Sequence, residues 1–120
     1  MVDELLREIK SEDQQVVLNA IDRLGILPDS DATSALTACL KDPRYMVRLF
    51  AAVQLGERKD PSAIPSLIES LHDSSLFVRQ TAAGALENIG GPKALAAVKK
   101  AEAEGLLLDE LPDGIILGPV

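Results

Sequence analysis

One hundred and twenty residues suffice for one domain with its own core, so neither a disulfide framework nor a structural metal is needed for folding. Nineteen acidic against twelve basic side chains give a net charge of −7, which repels polyphosphate and argues against a nucleic-acid partner. The single cysteine, Cys39, rules out an internal disulfide, and no window approaches the ~20 apolar residues of a membrane span.

The residues from Met1 to Lys10 carry Asp3, Glu4 and Glu8 and lack the apolar stretch of a signal peptide, so the expected setting is the reducing cytoplasm, without a membrane. The sequence then matches itself at a shift of 31 residues. Leu5, Leu36, Leu67 and Val98 share one column, Val16, Val47 and Val78 another, Ala20, Ala51 and Ala82 a third, and Leu24, Leu55 and Leu86 a fourth. Each period reads as two helices, giving predicted helices at about 2–10, 13–25, 32–41, 44–57, 62–72, 75–89 and 92–104.

In the first period, the apolar columns mark the first two helices. In the second, Ala32, Leu36 and Leu40 recur at four-residue spacing, Lys41-Asp42-Pro43 breaks the chain, and Val47, Ala51, Ala52 and Leu55 start a new stripe. Gly56 stands where a left-handed residue would end that helix easily. The third period repeats the pattern: Ile64, Leu67, Ile68 and Leu71, a turn at Asp73-Ser74-Ser75, then Val78, Ala82, Ala83, Leu86 and Ile89 up to Gly90-Gly91. The alanine pairs let second helices approach their neighbours closely. The architecture expected is an all-α solenoid of about 3.5 helix pairs forming one domain, with a repeat body at 1–104 and a tail at 105–120. In the tail, Leu106-Leu107-Leu108 and Ile115-Ile116-Leu117 flank a turn sequence, Leu111-Pro112-Asp113-Gly114. They either cap the last hydrophobic face or pair as a strand with another chain.

The string Asp42-Pro43-x-x-x-Val47-Arg48-x-x-Ala51-Ala52-x-x-Leu55-Gly56, followed by Asp60-Pro61-x-Ala63-Ile64-Pro65-x-Leu67, resembles the HEAT-like repeat named after phycobilisome lyases. Asp73, Val78, Arg79, Ala82, Ala83, Ala85 and Leu86 carry the same pattern one period later. The resemblance spans roughly 29–101 and implies a right-handed superhelix with the second helices lining the inner face. It is specific for fold and uninformative about function, since proteins with this repeat include scaffolds, bilin lyases, a di-iron hydroxylase and some DNA glycosylases. The first period departs from it, with Ser11 in the aspartate column and Val17 in the arginine column, as expected of a terminal repeat.

Little in the sequence points to catalysis. Asp42, Arg48, Asp73 and Arg79 recur at fixed spacing and read as structural, with turn carboxylates accepting from helix N-terminal amides and from arginines at the junctions between repeats. His72 is the one histidine, whereas the di-iron hydroxylases use several His-Glu pairs. Cys39 lies in a column of small residues with Ser70 and Ala101, which suits packing better than nucleophilic chemistry. No catalytic residue, cofactor or metal site is expected.

The informative signal is an apolar stripe on the wrong side of a helix. If Val47, Ala51, Ala52 and Leu55 face the core, then Met46, Leu49, Phe50 and Val53 lie opposite, and the 31-residue shift adds Leu18 and Phe77 from adjacent second helices. A helix rotation differing by about 40° would place some of them in the core instead. The reading is a protein-binding module whose groove takes a helix or extended peptide through these six residues. Its alternative, suggested by the family name, is a subunit of a bilin lyase or isomerase holding a tetrapyrrole in the same groove. A third reading is a homodimer formed through the tail or a solenoid end.

Overall fold

The computed structural model describes residues 2–108. Among them the chain forms seven α-helices and no strand: α1 (Val2–Glu8), α2 (Gln14–Gly25), α3 (Ser30–Cys39), α4 (Tyr45–Arg58), α5 (Ile64–Ser70), α6 (Leu76–Ile89) and α7 (Pro92–Ala103). One 3₁₀ turn, Pro61–Ala63, leads into α5. The order is that of an all-α solenoid of three helix pairs followed by the first helix of a fourth. First helices pack beside first helices, and α2, α4 and α6 stack in a second row, within a slab of 45 × 30 × 16 Å.

The turns between paired helices share one device. Ser11 Oγ accepts from the Asp13 amide at 3.0 Å, Asp42 Oδ1 from the Arg44 amide at 2.9 Å, and Asp73 Oδ1 from the Ser75 amide at 2.9 Å. These residues occupy one column, so the serine of the first period performs the same turn-closing task as the aspartates. At the other ends, Gly90 and Gly91 take positive φ and separate α6 from α7. Gly105, with φ 76°, ends α7 in a Schellman arrangement in which the Leu106 amide reaches back to the Ala101 carbonyl at 3.0 Å.

Gly56 does not end its helix. α4 runs two residues further to Arg58, and Lys59 takes the left-handed position at φ 54°. Gly56 is instead a contact residue, because a Cβ there would lie 2.9 Å from both Cα and Cβ of Ala85 on α6. The absent side chain sets how closely α4 and α6 approach.

Beneath these helices lies one continuous core of Leu, Ile, Val and Ala, including Leu5, Ile21, Leu36, Leu55, Leu67 and Leu86. The charged columns cross it. Arg48 is buried, donates from Nε to Asp73 Oδ2 at 2.9 Å and from Nη2 to Asp73 Oδ1 at 3.1 Å, and reaches the carbonyls of Asp42 and Pro43 through Nη1. A guanidinium of one repeat thus clasps a carboxylate of the next. The expectation of arginine–carboxylate pairing at each junction does not extend to Arg79. Among the described residues it meets only carbonyls, donating to Leu106 O at 2.6 Å, Asp73 O at 2.9 Å and Ser74 O at 3.4 Å. The reason is that the position one period after Asp73 is Glu104, at the end of α7, and the chain there turns through Gly105 so that a backbone oxygen takes the place of a carboxylate. Burial pulls the Arg79 guanidinium below its ordinary pKa, while the neighbouring Asp73 carboxylate works in the opposite direction.

Asp42 stands where no preceding arginine exists, Val17 being buried in that column. Its carboxylate is taken by Arg44, at 2.9 Å from Nε and 3.0 Å from Nη2, and Arg44 also reaches the carbonyls of Ser11 and Glu12. Of the tail, Leu106 is buried in the core and Gln80 Nε2 donates to Leu107 O at 3.0 Å. The apolar triplet Ile115-Ile116-Leu117 and the turn Leu111–Gly114 lie outside the described residues.

Candidate interaction groove

Helical geometry sorts the second helices into flanks and an outward face. Gly25 abuts Gln54 of α4 and Gly56 abuts Ala85 of α6, so the flank carrying these glycines faces the next second helix. Leu18 and Leu49 lie seven residues before Gly25 and Gly56, about two turns, and therefore share that flank. Leu18 was expected on the exposed patch. It is 6% exposed, enclosed on the flank that faces α4, and is not part of the surface. Leu49 is half-buried and lines the depression between α2 and α4.

The outward face of α4 carries Met46, Phe50, Val53 and Glu57 at three- and four-residue spacing. One period on, α6 carries Phe77, Thr81, Gly84 and Asn88, and one period before, α2 carries Gln15, Asn19, Asp22 and, just past its end, Ile26. Phe77 is 62% exposed and Val53 41%, whereas Met46 and Phe50 are half-buried and rest against the core. Two shallow depressions meet at Val53. One, between α2 and α4, is lined by Asp22, Leu49, Phe50, Val53 and Gln54. The other, between α4 and α6, runs from Val53 past Glu57 to Thr81, Gly84 and Asn88. Five of the six residues read from sequence thus lie on or beside the groove surface, and the sixth is core.

Sequence reading overlooked Gly84, which shapes this surface, and Arg58, which fastens the segments beside it. Gly84 sits in mid-helix with open space where a Cβ would be, leaving the α6 backbone accessible from the groove. Arg58, at the end of α4, donates from Nη1 to the carbonyls of Leu24 and Leu27 and from Nε to Thr33 Oγ1, holding the end of α2 and the start of α3 in place. Its period-mates are Leu27 and Ile89, so no column announced it.

His72 is exposed in the turn after α5, and among the described residues no three of His, Cys, Asp and Glu are grouped as a metal ion would require. Cys39 is buried, and burial first, then the Asp42 carboxylate, pushes its thiol up to about 11. No helix among the described residues is long and apolar enough to cross a membrane.

Stacked helix pairs, an alanine-rich second-helix row and a turn aspartate recurring with the period define an α-solenoid repeat protein. The sequence matches the family model of HEAT repeats over residues 35–105, and the chain belongs to that family. It is similar to phycocyanobilin lyase subunit alpha of Picosynechococcus sp., 36% identical over 85 residues that make up 65% of this chain and 32% of that protein. It is also similar to deoxyhypusine hydroxylase of Rattus norvegicus, 34% identical over 88 residues, 72% of this chain and 29% of that protein. The chain spans about a third of the length of each of these relatives.

Proposed function

We propose that the protein is an interaction module that binds a segment of a partner protein along the outward face of α2, α4 and α6, with Phe77, Val53, Phe50, Met46 and Leu49 as contacts. The observation that carries this reading is the exposure of Phe77 and Val53 on adjacent helices, beside Met46 and Phe50, on a face ringed by polar side chains. Contiguous exposed apolar surface with a polar border is what an interface looks like before its partner arrives. Aromatic residues in such places carry a disproportionate share of affinity.

Affinity capture with cross-linking and mass spectrometry tests it. Wild type and a distant surface variant, Lys41→Asp, should retain the same partner, whose cross-links map to α4 and α6, and Phe77→Asp should lose it. Retention by Phe77→Asp, or cross-links confined to the first helices, would remove this face from consideration.

A second reading rests on the similarity to the bilin lyase subunit: a linear tetrapyrrole in the same groove. Its check is direct, since a bound tetrapyrrole changes its visible absorption on titration with the protein. The carboxylates of Asp22 and Glu57 on the groove disfavour a ligand bearing propionates, which makes the peptide reading the stronger of the two.

A further inference from the structure

Resting on the groove reading above, we infer that its occupant is a cationic amphipathic segment of a partner protein, placing an apolar side chain over Val53 between flanking lysines or arginines. Val53 divides two depressions, and each is lined by one carboxylate, Asp22 on the α2 side and Glu57 on the α6 side. Neither depression is lined by a lysine or arginine, and among the described residues neither carboxylate belongs to an ion pair. Asp22 receives only the amide of Gln54 at 3.4 Å. The apolar contacts lie on the N-terminal side of the same stripes, at Met46, Phe50 and Phe77. The groove is therefore apolar at one end and electronegative at the other, the complement of a basic amphipathic segment.

Gly84 supports an occupant on independent grounds. A glycine in the middle of an exposed helix destabilises it relative to alanine, and here nothing within 4 Å would obstruct a Cβ. Packing among the described residues therefore does not call for this glycine, in contrast to Gly56, which packs against Ala85. A segment passing close over the α6 backbone opposite Val53 does call for it.

The probe is a fluorescent helical peptide with Leu at i, i+3, i+4 and i+7 spacing and Lys elsewhere, compared by polarisation with its Leu/Glu counterpart. The Lys peptide should bind at least about tenfold more tightly than the Glu peptide. Asp22→Lys with Glu57→Lys should erase that preference, while Asp3→Lys with Glu4→Lys on α1, equal in net charge, should preserve it. Gly84→Gln, which places a side chain in the groove, should weaken both peptides, its fold checked by circular dichroism. A preference that survives the groove reversal, or falls equally in the α1 control, reflects overall charge and overturns the inference. Equal binding of both peptides that is nonetheless lost in Gly84→Gln overturns the cationic assignment and keeps the groove. Indifference to both Gly84→Gln and Phe77→Asp removes the groove itself.

Discussion

Arg48 and Asp73, on successive repeats and 25 residues apart, form a two-point ion pair at 2.9 and 3.1 Å with both side chains almost wholly out of solvent. The guanidinium's remaining donor closes the turn that precedes its own helix, through the carbonyls of Asp42 and Pro43. One side chain therefore ties three segments. Removing it leaves a buried carboxylate with the Ser75 amide as its one remaining recorded donor, so Arg48→Ala should cost about 3–5 kcal/mol in urea denaturation. Arg48→Lys should recover only part of this, because an ammonium cannot make the parallel two-point contact. Full recovery by lysine would show that charge alone matters here.

The two glycines within α4 and α6, Gly56 and Gly84, should respond in opposite ways. Gly56→Ala forces a methyl to 2.9 Å from Ala85 and should destabilise by about 1–3 kcal/mol. Gly84→Ala meets nothing and should stabilise by about 0.5–1 kcal/mol. Thermal melts of the pair provide the comparison, and equal shifts would contradict the difference in packing.

Among the groove residues, Phe77→Asp should change stability by no more than about 0.5 kcal/mol, as exposed substitutions do. Phe50→Asp places a charge where a half-buried ring rests on the core, and should cost about 1–3 kcal/mol. Phe77 is thus the cleaner probe of binding, and a Phe77→Asp protein that unfolds in mild urea would mark that ring as structural.

Cys39 should be nearly inert in the folded protein. A thiol at about 11 is ionised in roughly one molecule in a thousand at pH 8, far below a free cysteine. Labelling by a thiol reagent should therefore follow the rate or extent of unfolding, rising steeply through the urea transition. Rapid labelling in native buffer would contradict its burial.

Acid should act partly through Asp42. The hydrogen bonds from the Arg44 side chain, foremost among its surroundings, hold the carboxyl below the usual carboxylate range. Its folded value lies below its unfolded one, so its stabilisation is complete above about pH 4 and is lost as pH falls through the folded value. Arg44→Ala should flatten the acid limb of a stability–pH curve below about pH 4 and leave the neutral plateau less changed. An unaltered acid limb would assign that limb to other carboxylates.

Helix pairing, core columns and the turn aspartates were legible because each recurs with the period, so one helix vouches for the next. Gly56 was misread as a helix stop because a terminal glycine and a contact glycine are the same residue; only Ala85 opposite it distinguishes them. Leu18 was misplaced because it lies on a flank, where burial depends on the neighbouring helix and not on its own helix's periodicity. Arg44 and Arg58 were invisible to the period, having no counterparts one repeat away, although both fasten adjacent segments. Arg79 kept its column and changed its partner, since a carbonyl of the turn after α7 serves where a carboxylate was anticipated.

The forward reach of Arg48 to Asp73 gives the array a direction, and a direction has a use in construction. A tandem copy of residues 45–75 inserted after Ser75 would keep Arg48 opposite Asp73 and place the copied Arg48 opposite the copied Asp73. Both seams would regenerate without a redesigned residue, while the existing start at Arg44 and finish at Leu106 remain in place. The molecule can be lengthened from within, like a chain whose clasps sit only at its ends.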